Sequence, residues 1–137
     1  MQITVITLFP ELISTAVQVG VVGRALERGQ VSVSAVSPRA YANDPRRTVD
    51  DRPFGGGPGM VLKVEPTRSA MRAAIQALPA GSRRIYLGAE GAPLTQAKVA
   101  ELASLPGMVL LAGRYEGVDE RLLATEVDET ISIGDYV

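Results

Sequence analysis

Two glycine-framed segments carry the side chains best suited to chemistry. Gly113-Arg114-Tyr115-Glu116-Gly117 holds three hydrogen-bonding side chains between glycines, after an apolar run. Gly55-Gly56-Gly57-Pro58-Gly59 concentrates glycine where backbone N–H groups could point at an anion. No Gly-Lys-Ser/Thr follows it and no Gly-x-Gly-x-x-Gly stands at a strand–helix junction, so neither the Walker A nor the dinucleotide fingerprint is present. The alternatives are that residues 113–117 form only a tight turn and that residues 55–59 form only a flexible connector.

Charged residues stand directly before the glycine run. Arg46, Arg47 and Arg52 flank the pair Asp50 and Asp51. Arginine can contact phosphates or guanine acceptors, and aspartate can accept from a base N–H donor. The pattern therefore suggests RNA recognition, with a solvated loop that pairs its own charges as the alternative.

Composition excludes several other chemistries. The 137 residues include no histidine and no cysteine, which excludes Ser-His-Asp hydrolysis, thiol nucleophiles and thiolate metal sites. The net charge of −1 divides into +3 over residues 1–72 and −4 over residues 73–137, so a cationic field over the whole chain is absent. No apolar run approaches the roughly 20 residues of a membrane span. We expect a cytoplasmic protein without a membrane partner.

The elements that must position these residues alternate along the chain. Period-two and apolar runs predict strands at residues 2–8, 31–36, 84–87, 108–112 and 129–133. Amphipathic runs predict helices at residues 10–20, 21–28, 66–78, 96–104 and 118–127. Residues 37–59 lack periodicity, and a loop of that length is usually functional or disordered. The alternation predicts an α/β fold with a mostly parallel sheet.

Parallel sheets bind ligands beyond the carboxyl ends of their strands. Three predicted loops follow the last three strands, at residues 88–93, 113–117 and 134–137, and each contains glycine. We expect the site to lie there.

Taken together, these segments resemble the bacterial tRNA (guanine-N1)-methyltransferase family, of the knotted SPOUT class. The matching runs are TLFPE at 7–11, GVVGRA at 20–25, SPR at 37–39, RTVDDRPFGGGPGM at 47–60, GRYEGVDER at 113–121 and SIGDYV at 132–137. The family's chain is nearly twice as long. The resemblance therefore implies that residues 1–137 are an N-terminal S-adenosylmethionine-binding domain, truncated at its C-terminal edge, without the C-terminal tRNA-binding domain. The trefoil knot would be completed beyond Val137.

The resemblance also implies a cofactor site for S-adenosylmethionine on the three loops. Backbone groups would read the adenine edge, and Leu87 and Ile133 would pack on the ring. The implied cofactor residues are Tyr86, Leu87, Gly88, Gly113, Tyr115, Glu116, Gly117, Ile133, Gly134, Asp135, Tyr136 and Val137.

Methyl transfer to guanine N1 requires a general base, because that nitrogen is protonated at neutral pH. In the family the base is an aspartate beyond Val137, so no catalytic base is assigned within this chain. Arg114 and Glu116 would border the transferred methyl group. The family acts on guanosine 37 of tRNA as a homodimer, and some members need a divalent ion, although this sequence shows no metal-ligand pattern. The implied RNA-binding residues are Arg46, Arg47, Asp50, Arg52, Gly55, Gly56, Gly57, Pro58, Gly59 and Met60.

One alternative is a non-catalytic α/β module that holds RNA or a nucleotide. The absent base and the stop at Val137 are compatible with it. A phosphate-transfer enzyme is disfavoured, because no phosphate-loop lysine is present.

Overall fold

The computed structural model describes residues 1–134 and 136, and its main feature is a five-stranded sheet with the strand order β2-β1-β6-β5-β7. The strands are β1 Gln2–Ile6, β2 Ser32–Val36, β3 Asp50–Asp51, β4 Val61–Leu62, β5 Arg83–Pro93, β6 Gly107–Ala112 and β7 Glu129–Ser132. The helices are α1 Pro10–Ala16, α2 Gly20–Glu27, α3 Val64–Ala77, α4 Gln96–Ala103 and α5 Glu120–Glu126, with a 3-10 turn at Pro38–Tyr41.

All four strand pairings of the large sheet are parallel, which confirms the predicted fold class. The central strand β6 lies between β1 and β5, with Val109 opposite Thr4 on one side and opposite Arg84 on the other. Val109 and Leu111 are completely buried. The wholly apolar sequence of β6 is the composition expected of a strand covered on both faces.

Helices cover both faces of the sheet. The apolar side of α3 buries Ala70 and Met71 against a cluster that includes Ile6, Leu111 and Leu122. In a second cluster, partly buried Leu102 of α4 packs against the buried side chains of Ile85, Met108 and Ile131. The helical spacing of apolar residues therefore predicted the buried face of α3 correctly. That face packs in the larger of the two core clusters.

The prediction that residues 88–93 form a loop between a strand and a helix is wrong. Strand β5 continues to Pro93, with a register shift in which Leu87 and Ala92 both pair with Ile131. Gly91 lies against the backbone of β7, where an added Cβ would stand 2.6 Å from the Ile131 nitrogen. Residues 88–91 therefore leave and rejoin the sheet, and only a residue without a side chain permits so close a crossing.

The long aperiodic segment 37–59 also contains more order than its sequence indicates. Asp50–Asp51 pairs antiparallel with Val61–Leu62, and Val49 is completely buried. Other differences are at element ends. Strand β1 ends at Ile6, helix α1 ends at Ala16, and Gly20 begins α2 instead of ending the helix before it. Helix α3 begins at Val64 and α5 at Glu120, with Asp119 as its N-cap. Thr95 caps α4 as predicted, since its hydroxyl accepts from the Lys98 N–H. Among the described residues, no helix has the length and apolar character needed to cross a membrane.

Candidate functional site

The carboxyl ends of β5, β6 and β7 meet at one edge of the sheet and enclose two adjoining hollows. The larger, of about 320 Å³, is lined by predicted residues from two loops: Tyr86, Leu87, Gly88, Gly113, Arg114, Tyr115, Glu116 and Gly117. The smaller, of about 200 Å³, is lined by the predicted residues Leu87, Gly88, Ile133, Gly134 and Tyr136. Leu87 and Gly88 belong to both hollows, so the three segments form one continuous site.

Tyr86 forms a wall between two of the segments. Its ring is buried, and a Cβ on Gly88 or on Gly113 would stand 2.5 Å or 3.2 Å from opposite edges of that ring. Burial raises the pKa of the Tyr86 hydroxyl, and the nearby carboxylates of Glu90 and Glu120 raise it further. The phenol therefore stays neutral at physiological pH, and the two glycines let the backbone approach its ring.

The loop at residues 113–117 is held by the segment that leaves the glycine run. The Glu116 N–H donates to the Met60 carbonyl at 3.0 Å, and the Leu62 N–H donates to the Gly117 carbonyl at 2.9 Å. Tyr115 adopts φ +63, in the left-handed region. Non-glycine residues rarely adopt this conformation, and those that do are concentrated at functional sites.

Glu116 and Arg114 extend this loop toward two other parts of the chain. A Cβ on Gly59 would stand 2.6 Å from Glu116 Oε1, so the glutamate side chain packs directly on the glycine segment. The Arg114 guanidinium lies 5.7 Å from the centroid of the Phe9 ring, within the range of a cation–π interaction. Both residues therefore border the larger hollow with their side chains supported from outside it.

The predicted RNA-binding residues are not gathered at one place. Gly59 and Met60 contact the loop at residues 113–117, and Asp50 is half-buried in β3. Arg52 and Gly55 line a third cavity of about 590 Å³. Gly56, Gly57 and Pro58 are exposed between these two points.

Arg46 and Arg47 lie apart from the three cavities, on an exposed turn. Asp44 closes that turn, because its carboxylate accepts from the Thr48 N–H at 2.9 Å and from the Thr48 hydroxyl at 2.7 Å. These bonds lower the pKa of Asp44. The two arginines are therefore presented to solvent by an ordered turn.

Several residues that line the two hollows are not among the cofactor residues that the resemblance implies, although two of them lie in the predicted site loop at residues 88–93. Ala89 lines both hollows and Glu90 the larger one, and Ile131 and Ser132 line the smaller one. The sequence held a signal for Glu90, which is the one carboxylate in the run between Leu87 and Ala92. Asp135 and Val137 lie outside the described residues. Within residues 1–134 and 136, no group of three or more His, Cys, Asp or Glu side chains could hold a metal ion.

Comparisons with known proteins agree on one family. A family model described as "tRNA (Guanine-1)-methyltransferase TrmD" matches residues 1–137. The tRNA (guanine-N(1)-)-methyltransferase of Alcanivorax borkumensis is 60% identical over 135 residues, which are 98% of this chain and 51% of that protein. The enzyme of the same name from Stenotrophomonas maltophilia strain K279a is 58% identical over 137 residues, covering 100% and 54%.

A solved structure has the same fold. The crystal structure of tRNA (m1G37) methyltransferase from Aquifex aeolicus matches with a TM-score of 0.88 and 36% sequence identity, covering 100% of this chain and 61% of that one. The chain spans about half the length of the curated relatives it matches.

Proposed function

Because this chain belongs to the tRNA (guanine-N1)-methyltransferase family, we propose that the intact protein methylates N1 of guanosine 37 in tRNA. The methyl donor in this proposal is S-adenosylmethionine. The observation that supports it most directly is the pair of adjoining hollows at the carboxyl edge of β5, β6 and β7. Residues 1–137 would be the cofactor-binding domain, and a C-terminal tRNA-binding domain and the completion of the knot would follow Val137.

The residues at the sheet edge fit this cofactor. Together the hollows have the size of a typical small-molecule site, roughly 300–1,000 Å³. Leu87 and Ile133 offer an apolar wall for a flat ring, and Gly113 lets backbone groups approach it. Glu90 and Glu116 supply carboxylates beside a ligand whose sulfur is cationic. When bound, S-adenosylmethionine supplies the methyl group that is transferred.

The remaining cofactor residues of the proposal belong to the last strand end and the loop after β6. Ile133 is largely exposed beside the smaller hollow, so a bound ring would cover it. Asp135 and Val137 complete the proposed set as the sequence match implies. Burial of apolar surface on binding would contribute part of the affinity.

In this proposal, the chain's own residues bind and orient the cofactor and the target guanosine, and a residue beyond Val137 would be the general base. Guanine N1 must lose its proton before attack, and charge grows on O6 as it does so. We assign Arg114 and Glu116 to contacts around the transferred methyl group, because both line the larger hollow. The segment 46–60 would hold the target guanosine and its 5′ neighbour, since Met60 and the cofactor loop are joined by a backbone hydrogen bond.

A homodimer is part of the proposal. Apolar side chains stand exposed on and beside α1 and α2, with Leu12 65%, Val19 69% and Val21 74% exposed. A cluster of exposed apolar residues is typical of a protein–protein contact surface. Methyl-transfer assays with and without a metal chelator would test whether the intact protein requires a divalent ion.

The test is methyl transfer by the intact protein from labelled S-adenosylmethionine to unmodified tRNA. We expect modification of guanosine 37, and a sharply lower rate when guanosine 36 is replaced. The 137-residue chain alone should be inactive, because the base and part of the pocket are missing. Equal rates on both tRNAs would contradict the specificity, and binding of RNA without transfer by the intact protein would favour a non-catalytic module.

A further inference from the structure

The largest cavity of the three is separate from the cofactor hollows. It measures about 590 Å³ and lies between the glycine segment, the start of α3 and the start of α5. Phe54, Lys63 and Arg121 line it. Phe54 and Arg121 belong to the matching runs at 47–60 and 113–121, but none of the three is among the implied site residues. Its lining combines an aromatic ring with cationic side chains, which is the combination used to hold single-stranded nucleic acid.

The side chains that line this cavity carry a net positive charge. Four cationic side chains and three carboxylates line it. Arg121 pairs with Asp119 at 2.6 Å, and Arg68 pairs with Glu65 and also, at 3.3 Å, with the buried Glu126 outside the cavity. Within residues 1–134 and 136, Lys63, Arg52 and the carboxylate of Asp51 make no ion pair, so both cations are available to an anionic ligand. A single phosphodiester, with one negative charge, complements this balance.

Phe54 is the most exposed large apolar residue described, at 93% of its surface. It stands at the head of the glycine run, where Gly55 has φ +89. The Arg121 guanidinium lies 5.7 Å from the ring centroid and is fixed by two bonds to the Asp119 carboxylate, at 2.9 and 2.6 Å. The ring is therefore supported on its cationic neighbour but almost entirely open to solvent.

We propose that Phe54 and Lys63 form a nucleotide subsite that takes an unpaired nucleotide of the RNA substrate. The base stacks on the Phe54 ring, and the phosphate lies at the Lys63 ammonium. Unpaired RNA bases are commonly held by stacking on aromatic side chains and on arginine planes. This inference rests on the proposed function and adds a recognition site outside the hollows that would hold the cofactor.

The experiment measures binding of an unmodified tRNA transcript to the intact protein over a range of salt concentrations. Loss of one base stack in Phe54→Leu should weaken binding about tenfold without changing the salt dependence, whereas Phe54→Tyr should bind like the wild type. Lys63→Gln should reduce the slope of log K against log salt by about 0.7, the value for one phosphate contact with a single strand. Val99→Ala on α4 and Arg28→Gln after α2 are matched controls that should change neither quantity.

Each outcome supports or overturns the subsite. Phe54→Leu and Lys63→Gln both behaving like the two controls would overturn it, as would equal losses in Phe54→Leu and Phe54→Tyr. Titration of each variant with S-adenosylhomocysteine checks that the cofactor site is intact. A wild-type protein that binds tRNA with these variant effects but transfers no methyl group would refute the proposed function and leave the subsite standing.

Discussion

Replacing Gly59 with alanine tests whether the glycine segment and the cofactor loop act as a unit. Gly59 has φ +80, and a left-handed conformation costs a non-glycine residue about 1–2 kcal/mol. The new Cβ would also stand 2.6 Å from Glu116 Oε1 and 2.8 Å from Glu116 Cδ. Since such contacts are not tolerated, the Glu116 side chain must leave its position beside the larger hollow.

Gly55 provides a matched control for the conformational cost of placing alanine in the left-handed region. Gly55 has φ +89, and an added Cβ there meets nothing within 4 Å. Gly55→Ala therefore carries the same conformational cost without the contact to Glu116. The difference between the two variants isolates the displacement of the glutamate.

The assay is calorimetric titration of the intact protein with S-adenosylhomocysteine. If the Glu116 carboxylate contacts the ligand, its displacement removes one charged hydrogen bond, so affinity should fall about tenfold, or about 1.4 kcal/mol. Gly55→Ala should bind normally. Glu116→Ala should lose as much as Gly59→Ala, and the double variant should lose no more than either, because both remove the same contact.

Two results would refute this reasoning. Equal losses in Gly59→Ala and Gly55→Ala would show that loop stiffness, and not the Glu116 contact, determines affinity. Additive losses in the double variant would show that Gly59 and Glu116 act independently. Thermal unfolding of each variant provides the check that the fold is retained.

Two further predictions concern stability. The Glu126 carboxylate is nearly fully buried and accepts from Arg72 at 2.6 to 3.1 Å, so Glu126→Gln should lower the free energy of unfolding by about 3 kcal/mol. Urea denaturation would measure this against Glu101→Gln, whose exposed carboxylate pairs with Arg83 and Lys98, each pair being worth less than about 1 kcal/mol. Similar losses in both variants would contradict the prediction. Hydrogen bonds from Arg84 hold the pKa of Asp128 below its usual 3.8, so this carboxylate stabilises the fold above pH 3.8 and loses its effect as the pH falls through the lower folded value. Asp128→Asn should therefore lower the melting temperature at pH 7, and the decrease should become smaller as the pH falls below 3.8. A decrease that does not change with pH would be evidence against this assignment.

Local patterns were sufficient for much of the fold. The apolar run at β6 identified a strand buried on both faces, and the spacing of Ala70 and Met71 identified the buried side of α3. The period at which apolar residues recur indicates which side of a helix or strand faces the core, because burial of that side stabilises the fold. Since parallel strands end at one edge of a sheet, the order of elements also pointed to residues 113–117 as part of the candidate site.

Contacts distant in sequence could not be predicted in this way. The crossing of Gly91 over β7 turned a predicted loop into a continuation of β5 and brought Glu90 to the larger hollow. Likewise, the burial of Glu126 depends on arginines of α3 and β5, and no pattern near Glu126 signals them.

By itself, the sequence determined the alternation of strands and helices, the family match and the glycine segments, because these depend on residues that are close along the chain. Only the tertiary structure decided that Met60 and Leu62 bond to the loop of Glu116, and that Phe54, Lys63 and Arg121 share a cavity. Met60 and Leu62 lie more than fifty positions from the loop of Glu116, as do Phe54 and Lys63 from Arg121. These pairings arise from how the elements pack, since the cost of closing so long a loop is recovered only by contacts of the whole fold.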